Sequence, residues 1–468
     1  MSKSHFGVVG LGVMGQNLAL NAERNGFAVA GYDLDAAKSR SMAEKAAGKN
    51  VQVTGSLAEF ADALESPRRI LIMVPAGPAV DAVIRDLRPH LKPEDILIDG
   101  GNSYFEHTDR RSRELAEAGL RFMGTGISGG EEGALWGPCL MPGGPKEAYR
   151  EIEPIFNKMA AKTEDGPCSA YMGTDSAGHF VKMVHNGIEY GIMQLLCETY
   201  DILRKVLGLT AGEIGEIYQR WNEGELNSFL MEISAVVLAK TDPETGRPLV
   251  DLVLDTAGQK GTGKWTAQSS FDLGVAIPTL SVAVEGRILS GYKAERVAAA
   301  KVLKGPAARF TGNRETFLKN LWQGFYLAML ASYAQGLGML QEASQEHDYG
   351  LNLAEIARIW KGGCIIRSRL LDPIKKAYKK NPGLPNLLVD KYFSRLVNRY
   401  SRGLRQVVQV AAKTGVPALA YSSTLGYIDS YRSELLPANL LQAQRDYFGA
   451  HTYQRLDREG VFHTDWAH

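Results

Sequence analysis

Apolar runs of four or five residues, Phe6–Gly10, Ala28–Tyr32, Ile70–Val74 and Ile96–Asp99, recur through the first part of the chain, with helical stretches such as Ala79–Leu91 between them. That alternation predicts a parallel sheet covered by helices. Beyond residue 177 the strand pattern gives way to long helical periodicities. There the chain repeats itself. Phe180-Val181-Lys182 and Gly187 are matched by Phe317-Leu318-Lys319 and Gly324 at a constant offset, and Glu213-Ile214 with Ile217-Tyr218 by Glu355-Ile356 with Ile359-Trp360. A duplicated helical unit is expected, with Trp322 and Tyr326 at the places of His185 and Glu189. The final stretch, Leu436–His451, mixes aromatic, cationic and small residues, a composition suited to docking rather than to a free tail.

With 468 residues, 45% of them apolar, the chain can bury the cores of two or three domains. Its 53 basic and 52 acidic residues leave a net charge of +1, so no broad field favours nucleic acid or an anionic membrane. An anionic ligand therefore needs a local cluster of cations. Cys139, Cys168, Cys197 and Cys364 are far apart in sequence, which predicts mostly buried thiols in a reducing compartment and no structural zinc. Met1–His5 passes straight into the first apolar run, and no run approaches a membrane span; a cytoplasmic location is expected.

The first candidate chemistry is Gly10-Leu11-Gly12-Val13-Met14-Gly15, placed between a strand and a helix beginning near Gln16. In that context it is a dinucleotide fingerprint: Gly10 for the turn, Gly12 for approach of the pyrophosphate, Gly15 for close packing. Asp33 ends the second strand about 20 residues on, where a carboxylate holds the adenosine ribose and repels a 2′-phosphate. Asp33 can also cap the next helix. Leu34 and Asp35 bring no arginine, although Lys38 and Arg40 follow. The later strand ends carry Val74-Pro75-Ala76, Gly100–Ser103 with Asn102, and a glycine-rich loop with Ser128, Gly129 and Gly130 whose N–H groups suit a carboxylate.

Gly178–Gly191 reads as the start of a long helix. At about 100° per residue, Lys182 and Glu189 share a face two turns, about 10 Å, apart. Asn186 lies on the same stripe, with His185 beside it. Phe180, Val181, Met183, Val184 and Ile188 enclose the row, and an enclosed lysine titrates low enough to act as a general base. Farther on, Gly258–Lys264 fits seven positions of a Walker A loop, but Trp265 stands where its hydroxyl residue belongs. This stretch is better read as a flexible loop carrying Lys260 to an anion.

Taken together, Gly10–Leu18, Asp99–Ser103, Ser128–Gly133, Lys182–Tyr190, Ala257–Trp265 and Arg445–His451 resemble the decarboxylating 6-phosphogluconate dehydrogenases over essentially the full length. The resemblance implies a Rossmann-type α/β domain over 1–177, an all-α substrate and dimerisation domain with an internal duplication over 178–434, and a tail over 435–468 reaching the partner subunit of a homodimer. It implies oxidation of 6-phosphogluconate, loss of CO2 and formation of ribulose 5-phosphate without a metal, in the pentose phosphate pathway. By the match Lys182 is the base and Glu189 the acid. Ser128, Gly129 and Gly130 meet the substrate carboxylate; Tyr190, Lys260, Arg287 and Arg445 of the second copy hold its phosphate; Asn102, His185, Asn186 and His451 complete the hydrogen bonding. Many members have Asn-Arg-Ser/Thr where this chain has Asp33-Leu34-Asp35, and a lysine where it has Pro75. The expectation is therefore NAD as preferred cofactor, with NADP as the alternative. A non-decarboxylating β-hydroxyacid dehydrogenase is the nearest rival, but it has no need of Glu189, Lys260, Arg445 or His451. A catalytically idle dinucleotide-binding protein would have no need of Lys182 and Glu189.

Overall fold

Strands β1 (Phe6–Val9), β2 (Val29–Tyr32), β3 (Val51–Val53), β4 (Arg69–Ile72), β5 (Ile96–Asp99), β6 (Arg121–Ser128) and β7 (Cys139–Gly143) form one sheet in the order β3-β2-β1-β4-β5-β6-β7. The first six are parallel and β7 runs antiparallel to β6. This is a computed structural model that describes residues 3–306 and 308–466. The first two residues of the predicted first domain and the last two of the predicted tail lie outside the described residues. Ile70, Leu71, Ile72 and Ile96–Ile98 are wholly buried, as continuous apolar strands covered on both faces must be. Strand order reverses between β1 and β4, and the loops after these two strands open side by side there. Gly10 sits in that crevice at φ +97°, where a Cβ would lie 2.4 Å from the Met73 carbonyl oxygen.

The helical part is organised on two long helices, the site helix Ala177–Leu207 and its counterpart Arg314–Glu346. They cross closely at glycines: a Cβ on Gly336 would lie 2.5 Å from Ile188, and one on Gly191 3.2 Å from Ser332 Oγ. In the counterpart, Trp322 and Tyr326 stack at 5.7 Å and meet Tyr400 edge-on, so this copy uses the corresponding positions for packing. Glycines also let the site helix lie directly on the sheet. A Cβ on Gly178 would lie 2.2 Å from the Gly124 carbonyl oxygen, and one on Gly126 2.4 Å from Lys182 Cβ. The expected helix lysine is thereby fixed at the end of β6, where α/β sheets bind ligands.

Of the tail helix, Ala438–Gly449, only Asp446 is buried. Leu440, Leu441, Tyr447 and Phe448 are exposed in the single chain. No helix among the described residues is long and apolar enough to cross a membrane.

Candidate active site

The fingerprint helix Val13–Arg24 starts at Gly12 without a side-chain cap, which leaves its first N–H groups available to an anion. A Cβ on Gly12 would meet nothing within 4 Å, whereas one on Gly15 would collide with the Gly10 carbonyl oxygen at 1.8 Å. Open approach at Gly12 and close packing at Gly15 are what a bound pyrophosphate requires, so these residues fit a dinucleotide. Val13, Pro75 and Ala76 are exposed along the same crevice, with Met14 and Val74 half-buried.

Asp33 does not stand free there. Its Oδ2 accepts the Leu11 N–H at 2.6 Å and its Oδ1 the Asp35 N–H at 2.8 Å, with Lys38 Nζ 4.0 Å from Oδ1. Asp35 caps the helix Ala36–Lys45 by accepting the Ala37 N–H, and Leu34 is exposed. Both acids are occupied by their own backbone, and the cation that sequence spacing only hinted at lies beside them.

Asp99 shapes the loop that presents Asn102. Its Oδ1 accepts the Gly101 N–H at 3.0 Å and its Oδ2 the Ser103 hydroxyl at 2.6 Å, with Arg111 Nη1 at 3.3 Å. His179, from the first turn of the site helix, places Nε2 3.0 Å from the Asp99 carbonyl oxygen and Nδ1 2.6 Å from Thr108 Oγ1. Asn102 itself is exposed on that loop.

Around Lys182 the polar side chains form one connected set. Asn186 Oδ1 accepts from Lys182 Nζ and lies 3.0 Å from His185 Nδ1, while Asn186 Nδ2 donates to Thr262 Oγ1 at 3.0 Å. With Oδ1 as acceptor, His185 carries its proton on Nδ1, leaving Nε2 to accept from the Ser128 hydroxyl at 3.3 Å. Burial first, and the Lys182 charge second, hold His185 well below the ordinary histidine range. Burial likewise pushes Lys182 down, partly countered by Glu189; it pushes Glu189 up, partly countered by Lys182 and Arg287. Lys182 and Glu189 are thus both drawn toward their neutral forms.

Gly129 and Gly130 turn the chain at φ +128° and +63°, and a Cβ on Gly129 would lie 2.7 Å from the Gly363 carbonyl oxygen. Farther along the site helix, Arg287 lies over the Tyr190 ring at 3.4 Å and donates to the Gly258 carbonyl oxygen at 3.3 Å. Tyr190 packs on Gly263, and Lys260 is exposed on the intervening loop. Of the cations expected at the phosphate end, Arg287 thus lies on the Tyr190 ring, while Lys260 stands exposed on the loop between Gly258 and Gly263. Arg445 and His451 belong to the tail instead: both are exposed, Arg445 is bonded to Gln442, and His451 meets Phe448 edge-on. Sequence reasoning missed Thr262, the acceptor that orients the Asn186 amide. Its signal was present in the glycine-rich stretch noted only for Lys260.

Comparison with known proteins accounts for both halves. Residues 5–173 match the model of the NAD binding domain of 6-phosphogluconate dehydrogenase, and residues 178–466 that of the 6-phosphogluconate dehydrogenase C-terminal domain. The chain is 54% identical to the NADP(+)-dependent, decarboxylating 6-phosphogluconate dehydrogenase of Bacillus subtilis, and 50% identical to the decarboxylating enzyme of Escherichia coli, with 100% of each chain covered. A solved structure of Plasmodium falciparum 6-phosphogluconate dehydrogenase superposes with a TM-score of 0.96 at 41% identity, covering 99% of this chain and 100% of that one. That protein is known in its apo form, with its cofactor NADP+ and with its substrate 6-phosphogluconate. These relatives overturn the expectation that NAD is preferred. The geometry that spacing did not show is that Asp33 turns its carboxylate onto the Leu11 and Asp35 N–H groups and Asp35 caps the next helix, with the Lys38 ammonium 4.0 Å from Asp33 to offset the acids' charge. With both domains matched and relatives aligned end to end, the chain belongs to the decarboxylating 6-phosphogluconate dehydrogenase family.

Proposed function

We propose that the chain oxidises 6-phosphogluconate at C3 and decarboxylates it to ribulose 5-phosphate in the pentose phosphate pathway, with NADP as cofactor and with Lys182 and Glu189 as base and acid. The observation that carries this is the buried Lys182 and the half-buried Glu189 on one helix face, with Ser128 near one end and Arg287 near the other. Gly10–Gly15, Val74–Ala76 and Asn102 would hold the dinucleotide, with Lys38 toward its adenosine end. When bound, its nicotinamide supplies the hydride acceptor.

Lys182 in its neutral form takes the C3 hydroxyl proton as the hydride departs from C3. The resulting ammonium then donates to the C3 carbonyl oxygen, drawing in the electron pair released when the bond to the carboxylate breaks. Asn186 Oδ1 keeps Nζ aimed during both transfers. Glu189, protonated, delivers its proton to the carbon that lost CO2, which becomes C1 of the product. Ser128, Gly129, Gly130 and His185 hold the carboxylate end; Tyr190, Lys260 and Arg287 hold the phosphate. A second copy contributes Arg445 and His451 from its tail, which is consistent with the exposed apolar side chains of the tail helix. The direct test is to follow NADPH, CO2 and ribulose 5-phosphate from 6-phosphogluconate. Equal amounts of all three are expected, and NADPH without CO2 would return the non-decarboxylating reading.

A further inference from the structure

Asp446 is the one buried residue of the tail helix, and four donors converge on its carboxylate. The Thr452 N–H and His463 Nδ1 reach Oδ1, each at 2.9 Å; the Thr464 N–H at 3.0 Å and the Trp466 Nε1–H at 2.8 Å reach Oδ2. Loss of solvent pushes the carboxyl up, but the bonds from His463, Thr464, Trp466 and Thr452 outweigh this and hold it below the usual carboxylate range. Only an ionised carboxylate accepts at both oxygens from four donors at once.

This knot lies against the two tail residues assigned to substrate. Arg445 is the adjacent residue. His451 stands between Ala450 at φ +48° and Thr452 at φ +63°, two left-handed non-glycine residues that persist only where their surroundings hold them. Thr452 is gripped from both sides: its N–H by Asp446, and its carbonyl oxygen by Gln442 Nε2 at 2.6 Å. Gln442 Oε1 in turn accepts from Arg445 Nη1 at 3.1 Å. Positions 442, 445 and 446 share one helix face, and through them the Arg445 side chain and the backbone after His451 are fixed relative to each other.

We propose that Asp446 is a positioning residue for the reaction, folding the tail into a hook that presents Arg445 and His451 as one unit to the phosphate end of the neighbouring subunit's site. This rests on the reading that the tail serves that site. The carboxylate touches no substrate; it acts through its two neighbours.

The variant to make is Asp446→Asn. An amide of the same shape has one acceptor oxygen, and its NH2 would confront two of the four donors. It is compared in the wild-type chain and in an Arg445→Ala/His451→Ala background, at concentrations where sedimentation shows a dimer. Asp446→Asn is expected to raise KM for 6-phosphogluconate about tenfold, to change kcat less than about threefold and to leave KM for NADP unchanged. In the Arg445→Ala/His451→Ala background it should add less than about twofold. An unchanged KM, or the same rise with Arg445 and His451 absent, overturns the positioning role while leaving the tail reading intact. If Arg445→Ala/His451→Ala itself leaves KM unchanged, the tail reading fails and the role of Asp446 with it.

Discussion

Lys182 and Glu189 lie seven positions apart on one helix, and burial displaces them in opposite directions, the lysine downward and the glutamate upward. Each also restrains the other's shift by its charge. Such a pair is costly to keep charged and well suited to trading protons, which is the chemistry proposed for it.

Removing either group should abolish turnover without unfolding the chain. Lys182→Met keeps the length of the side chain and loses the proton acceptor; kcat should fall by about 10³-fold or more, and for Glu189→Gln by about 10²–10⁴-fold. Neither variant leaves a cavity, so thermal melting should show no loss beyond about 1 kcal/mol. Retention of more than about a tenth of wild-type kcat by Lys182→Met would remove lysine from the base role.

The glutamate should leave a signature in stability against pH. Its folded pKa is raised above 4.5, so its contribution is full below that value and is lost as pH climbs through the folded value. Lys182→Met removes the cation that restrains this shift. The melting temperature of Lys182→Met minus that of Lys182→Met/Glu189→Gln should therefore be greatest near pH 4, fall as pH rises past 4.5, and level off once Glu189 is ionised. A difference that stays flat across this window would mean that Glu189 feels no net burial.

Close contact between sheet and site helix makes Gly126 a sensitive position. An alanine there would press on Lys182 Cβ and lie 3.0 Å from the Gly178 carbonyl oxygen, so the helix itself must shift. Gly126→Ala should cost about 1–3 kcal/mol in denaturant melts. It should also lower kcat by about 10²-fold, because a base displaced by about 1 Å loses that much.

Much of this was legible in the chain because it is local. The i, i+7 spacing of Lys182 and Glu189 survives any packing, and Gly10–Gly15 declares its turn by residue type alone. The long helices fall where Phe180 and Phe317 begin the repeat. Direction of a side chain is not local. Asp33 was misread because spacing gives its place but not its rotation onto the Leu11 N–H. Thr262 was missed because its partner, Asn186, is 76 residues away. The pairing of Asp446 with His463 and Trp466 likewise appears only once the tail has folded back.

At the cofactor end, Lys38 is the cation nearest Asp33, with half its side chain exposed. With both local acids engaged, it is placed to meet a 2′-phosphate. Lys38→Ala should lower kcat/KM for NADP by about tenfold and change that for NAD by less than about twofold. An equal loss with both cofactors would assign Lys38 to loop structure alone.

If each site joins Lys182 of one chain to Arg445 of the other, two inactive variants should repair each other. In a hybrid of Lys182→Met with Arg445→Ala, one site receives Lys182 from the second chain and Arg445 from the first, and is intact; the other has lost both. Such a dimer should show about half of wild-type activity, and random pairing on co-expression, in which about half of the dimers are hybrids, about a quarter. The recovered sites should have wild-type KM for 6-phosphogluconate, since nothing in them is altered. Were each tail to serve its own chain, every site in the hybrid would carry one defect and no activity would return. The assay therefore separates the two arrangements at 6-phosphogluconate concentrations low enough that neither variant turns over appreciably alone: activity above the sum of the two variants means shared sites, and activity equal to that sum means that each tail serves its own chain.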